Sequence, residues 1–485
     1  MAAGGTAAAA VAPVRAFDRR LLPPMMLGSI LNPINSSIIA VALAPIATAL
    51  GAPASQTAWL ISALYLATSI GQPLVGRLVD IFGPKRMFLI GGVLTGAAGI
   101  LGTLAPDIWT LVAARVILGF GTCAGYPAAM YLIRSEARRT GMTSPAGVLT
   151  ALAIATQTIA VIGPSLGGLL IDIGGWRSTL AVNIPLAVAC LLLGWFVLPS
   201  GNVLRAEGTA RPGRVGPSQD AGRAGLDGPG VVLFAATLTA LLLFLMNPHL
   251  ILVWLLAVAI LAGTGFALHE LRSAEPFIDV RVFAGNLPLL ATYARTLLGS
   301  TVSYAFIYGF TQWLEVGRGL SASATGLILL PTFGVGILVS ALTGRRQAVT
   351  AKLVTGGVVQ LIACVLLLAV EKGTAVWLLV AIAILVGFPQ GLVNLANQNA
   401  LYHQAQPERI GASSGLLRTF MYLGAMVASS AAGLCFGSRA TTGGLHALAI
   451  VMLVAAAALL AVTLADQSLR RVATAARVPA PRAGE

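Results

Sequence analysis

Charge is what this sequence has least of. Only 9% of its 485 residues are charged, where an ordinary soluble domain carries about 25%, and that shortage excludes a water-soluble globule. Acidic residues are scarcer than basic ones, 16 against 30. None of the sixteen falls at the centre of an apolar run; those nearest, Asp172, Glu270 and Glu315, stand at run ends. Cysteine is limited to Cys123, Cys190, Cys364 and Cys435, all within apolar runs and without a Cys-x-x-Cys pair, so they read as small buried hydrophobes. The four histidines, His249, His269, His403 and His446, sit at four separate loop or run ends. No His-Glu-x-x-His, Gly-x-Ser-x-Gly or Walker sequence accompanies them, so neither a metal site nor a catalytic set is expected, and the chain does not read as an enzyme. A selectivity loop or a pore-lining polar repeat is missing too, which argues against a channel.

What is abundant is apolar sequence, 57% of the chain. Runs of roughly 17 to 25 residues, each ended by Gly, Pro, Asn or a charge, match the length a helix needs to cross a hydrocarbon core of about 30 Å. They lack the alternation of a barrel strand, and a lipid-facing backbone must satisfy its own hydrogen bonds, so helices are the expected elements. Fourteen spans are predicted, at 22–45, 57–76, 88–105, 110–131, 147–171, 179–199, 230–247, 250–268, 287–311, 322–342, 353–370, 375–396, 412–436 and 443–464. The fold class is therefore all-α integral membrane.

With an even count both termini share a side. Placing them in the cytoplasm puts 23 of the 30 Lys/Arg in cytoplasmic segments and four outside, while Arg115, Arg295 and Arg418 lie within spans. A multi-pass protein of the inner (plasma) membrane with both ends cytoplasmic is expected. The net charge of +14 is scattered through short loops without interleaved aromatics, so it sets orientation and no nucleic-acid partner is expected. The tail 1–21 has its Arg residues after its Ala-rich stretch, the reverse of a secretory signal, and reads as a disordered cytoplasmic segment. A first six-helix bundle occupies 22–199, a flexible Gly/Pro/Arg-rich linker 200–229, and an inserted two-helix hairpin 230–268, turning at Asn247-Pro248-His249. A connector at 269–286, a second six-helix bundle at 287–464 and a cytoplasmic tail at 465–485 complete the chain. Related halves around a midplane site are a common transporter plan.

The turn after the second span reads Gly76-Arg77-Leu78-Val79-Asp80-Ile81-Phe82-Gly83-Pro84-Lys85-Arg86. Gly76 permits close helix approach, Asp80 can accept from helix N-terminal amides or pair with a base, Gly83 allows a tight turn, and Lys85 and Arg86 hold the loop inside. This turn resembles the loop signature of the major facilitator superfamily, with Ile81 where that family has Arg. In span 4, Arg115-Val116-Ile117-Leu118-Gly119-Phe120-Gly121 is similar to the family's Arg-x-x-Gln-Gly-x-Gly, with Leu118 in place of Gln; the resemblance implies that Arg115 takes part in conformational or proton coupling. Gly163-Pro164-Ser165-Leu166-Gly167-Gly168 resembles the antiporter signature of helix 5, and Pro164 should bend that helix at a close interface. Gly175-Trp176-Arg177, Asn183-Ile184-Pro185 and Ala42-Leu43-Ala44-Pro45 look like features of the fourteen-span drug/proton antiporters, and weaker matches continue at Pro276-Phe277-Ile278-Asp279 and Gly344-Arg345-Arg346.

The resemblance implies the major facilitator fold, two six-helix bundles plus two inserted central helices, and a secondary active transporter that exports small amphiphiles by alternating access, of the multidrug efflux antiporter type. Export of a specific anionic or neutral metabolite without conventional proton antiport is the alternative, and a non-transporting receptor a distant one. The alternative arises because the intramembrane Asp of the antiporter pattern aligns with Asn35, which cannot titrate. No cofactor is expected, and a proton gradient is the candidate energy source that this missing carboxylate counts against. A small-molecule substrate and the bilayer are the expected partners of a monomer.

Polar residues inside the spans supply the cavity candidates. Gln390, Asn394 and Asn397 fall at i, i+4 and i+7 on span 12, Asn32, Asn35 and Ser36 form a stripe on span 1, and Arg418 shares a face with Tyr422. Gln157, Arg295 and Tyr304 complete the set. Converging, these faces make a polar cavity of positive potential with no fixed negative charge, suited to a neutral or anionic amphiphile.

Overall fold

The computed structural model of the protein describes residues 17–469 apart from 53, 58, 141–144, 200–226, 247–249, 274, 275, 279, 345, 347 and 438. The described residues form long helices and no strand: α1 Leu22–Leu50, α2 Trp59–Phe82, α3 Pro84–Thr103, α4 Ile108–Thr140, α5 Ala146–Gly174, α6 Asn183–Phe196, α7 Gly228–Met246, α8 Val253–Arg272, α9 Leu287–Ala305, α10 Ala322–Thr343, α11 Val349–Leu367, α12 Val376–Gln404, α13 Ile410–Phe436 and α14 Thr442–Ala465. Side chains such as Ile173, Phe196 and Leu261 are 75%, 78% and 73% exposed. Apolar exposure on that scale around every long helix needs lipid as the solvent.

Twelve of these helices are long and apolar enough to cross a bilayer, thirteen when the two limbs of α5 count as one span, against the fourteen expected. The limbs of α5 meet at 43° across residue 160, the residue whose carbonyl loses its partner because Pro164 has no N–H. The helix short of the apolar criterion is α9. It carries Thr292, Arg295, Thr296, Ser300 and Ser303 and is enclosed by α12, α13 and α14, so its polarity never meets lipid. π-helical turns at Phe306–Phe310 and Trp313–Gly317 extend it.

Several ends differ from the sequence boundaries. α4 runs to Thr140 rather than 131 and α12 to Gln404 rather than 396, because their polar last turns find partners beyond the apolar core. The expected linker lies outside the described residues over 200–226; of its last residues, Asp227 caps α7 by accepting from Gly230 N at 2.9 Å and pairs with His269 of α8 at 2.8 Å. The turn at 247–249 lies outside the described residues, as do 1–16, Asp279, Arg345 and 470–485.

Packing repeats itself. In the first six helices α1 pairs with α5, α2 with α4, and α3 with α4 and α6; in the last six α9 pairs with α13, α10 with α12, and α11 with α12 and α14. Raising each number by eight turns one list into the other, as internal structural repeats require. The halves meet through α2 on α13 and α10 on α5, again an equivalent pair, while α7 and α8 pack on each other and touch the rest chiefly at α2 and α13.

Candidate functional site

Eight of the ten cavity candidates line one central cavity of about 320 Å³: Asn32, Gln157, Tyr304, Gln390, Asn394, Asn397, Arg418 and Tyr422. They come from α1, α5, α9, α12 and α13, the helices that meet between the halves. Asn35 is not among them. It is buried against α6, where its amide nitrogen donates to Asn183 Oδ1 at 2.7 Å and to Leu31 O at 2.9 Å. Arg295 is not among them either. It is wholly buried at the opposite end of α9, with Nη1 on Asp466 Oδ2 at 2.8 Å, Nη2 on Thr292 Oγ1 at 2.7 Å and Nε on Asn397 Oδ1 at 3.4 Å. A charge in that setting needs a counter-ion, and the residue directly after α14 provides it.

The lining also includes Tyr65, Tyr126, Tyr308 and Gln360, none of them among the sequence candidates; Tyr308 follows Tyr304 at i+4, and Tyr65 shares its helix with Ser69 and Gln72 at i+4 and i+7, whereas Gln360 stands in an apolar run. Tyr65 and Tyr422 pack with ring centroids 5.7 Å apart, and Tyr304 and Tyr308 at 5.6 Å. The Arg418 guanidinium lies 4.0 Å from the Tyr126 ring centroid, and its Nη1 meets Met421 Sδ at 3.7 Å. Among the described residues, none that lines the cavity is acidic. The cavity thus holds one fixed positive charge on an aromatic shelf, in surroundings where a cation over a ring face is held electrostatically and an incoming anion finds no repelling carboxylate.

Below the cavity the halves are sealed. Asp80, at the end of α2, accepts from Gly411 N at 2.9 Å and Ala412 N at 2.8 Å, the first free amides of α13. A carboxylate there satisfies orphan donors and complements the helix dipole. The approach depends on small residues: a Cβ at Gly76 would strike the Gly411 carbonyl, and one at Gly415 the Gln72 carbonyl. Thr419 Oγ1 donates to Ser69 O at 2.8 Å one step further in. On the equivalent α5 and α10 contact, Gln157 Nε2 donates to Ser340 Oγ at 3.1 Å. Gly83 has φ 89°, a conformation glycine adopts without strain, and turns the chain so that Lys85 Nζ reaches the Trp195 carbonyl at 2.7 Å. Arg86 stands beside it in the first turn of α3.

A further clamp had no motif. Arg134 of α4 donates to the Tyr402 carbonyl at 2.5 Å and lies 4.9 Å from the Tyr402 ring centroid, in the last turn of α12. The short turn between α12 and α13 is thus held by a base at one helix's C-terminus and an acid at the next helix's N-terminus, each of the sign the dipole favours.

Arg115 is 1% exposed, with Nε on Leu60 O at 2.8 Å and Nη1 on Asn35 O at 3.3 Å; Nη2 has no partner among the described residues. It ties α4 to α1 and α2 through backbone carbonyls rather than a carboxylate. The helix 5 motif serves α1: a Cβ at Gly163 would overlap Ser37, and one at Gly167 would meet Val41 and the Ile38 carbonyl, whereas Gly168 faces open space. Pro164 lies in the second limb of α5. Among the described residues no three His, Cys, Asp or Glu gather as a metal site.

Comparisons with known proteins bear on this arrangement. The model of the Major Facilitator Superfamily matches residues 25–429. The uncharacterized MFS-type transporter YwoD of Bacillus subtilis (strain 168) is 32% identical over 461 residues, covering 92% of this chain and 96% of its own. The tetracenomycin C resistance and export protein of Streptomyces glaucescens is 26% identical over 432 residues, 85% of this chain and 74% of that one. Among solved structures, that of the human organic anion transporter MFSD10 (TETRAN) is similar with a TM-score of 0.63 over 93% of this chain and 100% of that one; at 15% identity the likeness is one of fold.

Proposed function

The chain belongs to the major facilitator superfamily, and on that premise we propose that this membrane transporter exports small amphiphiles, neutral or anionic, by alternating access. The observation that carries the reading is the central cavity: Arg418 over Tyr126 at 4.0 Å, tyrosines around it and no carboxylate in the lining. Such a site attracts an anion and stacks its apolar body. A lipophilic cation would face an uncompensated guanidinium. The relative named for tetracenomycin C resistance and export supports the outward direction.

The seal at Asp80 supports the transport cycle. With the termini in the cytoplasm, the α2–α13 and α5–α10 contacts close the inner side beneath the cavity, and opening inward requires Asp80 to leave the α13 amides. A few hydrogen bonds contribute about the few kcal/mol that separate two interconverting states, so a bound substrate can shift their populations.

A second reading, export of one specific metabolite without conventional proton antiport, is favoured by Asn35, which stands where the antiporter pattern carries its Asp and which here bonds Asn183. One experiment addresses both. Purified protein in proteoliposomes is given an anionic or a cationic dye, with and without an imposed pH gradient, while internal pH is recorded. Anion-selective transport abolished by Arg418→Ala is the expected result; equal cation transport by both proteins would overturn the proposed substrate class. Substrate-dependent proton movement would decide for antiport and against the second reading.

A further inference from the structure

The cavity extends beyond its cation into a pocket of amides that the export reading leaves without a task. Gln360 of α11 and Gln398 of α12 are each 3% exposed, and both line the cavity. In each, Oε1 is buried and has no hydrogen-bond partner among the described residues. Gln398 Nε2 donates to Asn394 Oδ1 at 3.0 Å, and Gln360 lines the same cavity. Gly299 of α9 lines the same cavity and packs closely there, since a Cβ would come within 3.3 Å of Val393 and 3.2 Å of Leu459.

Gln360 is the informative member. α11 packs on α12 and α14, and between Gly356 and Leu367 every other side chain is apolar. Holding the two halves together does not account for it, because among the described residues its helix packs chiefly on α12 and α14 of its own half. A buried amide oxygen left unbonded lowers stability, and native proteins keep few of them without a use. The oxygen calls for a donor. An ammonium group would donate, but it would share an acid-free cavity with Arg418. A hydroxyl donates and accepts, so it satisfies these amides whichever way each is turned.

We infer that the cavity is a two-part site, in which Arg418 and the tyrosines hold an anionic aromatic group and the Gln360, Asn394 and Gln398 amides hold a polyhydroxyl group attached to it. The substrate class is an anionic aromatic glycoside. This rests on the export reading and narrows it.

The test uses the full-length protein, reconstituted, and three coumarins: 7-hydroxycoumarin-3-carboxylate, its 7-O-β-galactoside, and the uncharged 4-methylumbelliferyl β-galactoside. Fluorescence titration should show the carboxylated galactoside bound about tenfold tighter than its aglycone, the size of one or two buried hydrogen bonds. Gln360→Leu should erase that advantage and leave the aglycone unchanged. Arg418→Gln should weaken both carboxylates by the same factor and spare the uncharged galactoside. Equal affinity of the unsubstituted protein for galactoside and aglycone overturns the inference, as does a Gln360→Leu protein that loses both equally. Asn394→Ala, read in the same titration, decides the matter where Gln360→Leu does not elute as a folded species. If the aglycone is neither bound nor transported while a cationic dye is, the export reading itself falls; if aglycone and galactoside are transported alike, only the two-part site does.

Discussion

The Tyr422 hydroxyl donates to Asn32 Oδ1 at 2.5 Å, joining α13 to α1 across 390 residues of sequence and across the boundary between the two halves. Asn32 is itself fixed by donating to Thr122 Oγ1 at 3.2 Å. Under the proposed alternating-access cycle the bond exists only while the halves are together at this level, so it biases the conformational equilibrium rather than the stability of either half. Tyr422→Phe leaves a buried acceptor unpaired in the closed arrangement, at about 1–3 kcal/mol. Spin labels at the Asp80 ends of α2 and α13 should then show a population shift of about fivefold to a hundredfold toward the separated distance. A distance distribution identical to that of the unsubstituted protein would contradict this.

Asp80→Asn keeps one acceptor oxygen but removes the charge, so the two α13 amides are no longer both held by a carboxylate. Charge-assisted bonds of this kind contribute about 1.5–3 kcal/mol. Transport turnover should fall at least about tenfold, with the dissociation constant of the coumarin carboxylate unchanged. An altered dissociation constant at unaltered turnover is the adverse result.

At Gly415 the obstacle is backbone, since a Cβ there meets the Gln72 carbonyl and not the tip of a flexible side chain. Gly415→Val should block closure of α13 on α2 while each six-helix bundle keeps its own packing. We expect a monodisperse protein by size exclusion, a thermal midpoint within a few degrees of the parent, and no transport. Retained transport would show that the seal at this point is dispensable.

Arg295 and Asp466 make the opposite forecast, of lost stability without altered selectivity. Their side chains are 0% and 6% exposed and 2.8 Å apart. Removing the acid in Asp466→Asn leaves a buried guanidinium without its counter-ion, a loss on the order of 3–5 kcal/mol, visible as a lower thermal midpoint. The preference for anionic over cationic dyes should persist, because neither residue lines the cavity. A variant that keeps its stability and loses anion preference would reverse the roles assigned to Arg295 and Arg418.

How much of this was legible beforehand differs residue by residue. The stripe Gln390, Asn394 and Asn397 could be read from spacing alone, because positions i, i+4 and i+7 must share a helix face, and a polar face on an apolar helix must avoid lipid. Asp80 could be read as an acceptor for helix amides, but not as an acceptor for those of α13, which lies 331 residues away. Arg295 and Arg418 looked alike in sequence, each about two turns into a span. What separates them is the partner: Asp466 arrives beside one and the Tyr126 ring beneath the other. Tyr65 had a signal in its i, i+4, i+7 spacing with Ser69 and Gln72, but Gln360 had no pattern to betray it, since a single polar residue in an apolar run has no periodicity.

The sequence by itself determined the solvent, the helices and the family. Long uncharged runs can be stable only in lipid, a lipid-facing backbone must close its hydrogen bonds within a helix, and the loop signature around Asp80 is local. Tertiary structure alone decided which arginine is neutralised and which is left facing the cavity, that Asn35 belongs to the α1–α6 contact, and that α12's amides and Gln360 of α11 line one cavity. Those outcomes depend on how fourteen cylinders rotate and cross, and a helix's own residues fix its polar face but not the neighbour that the face meets.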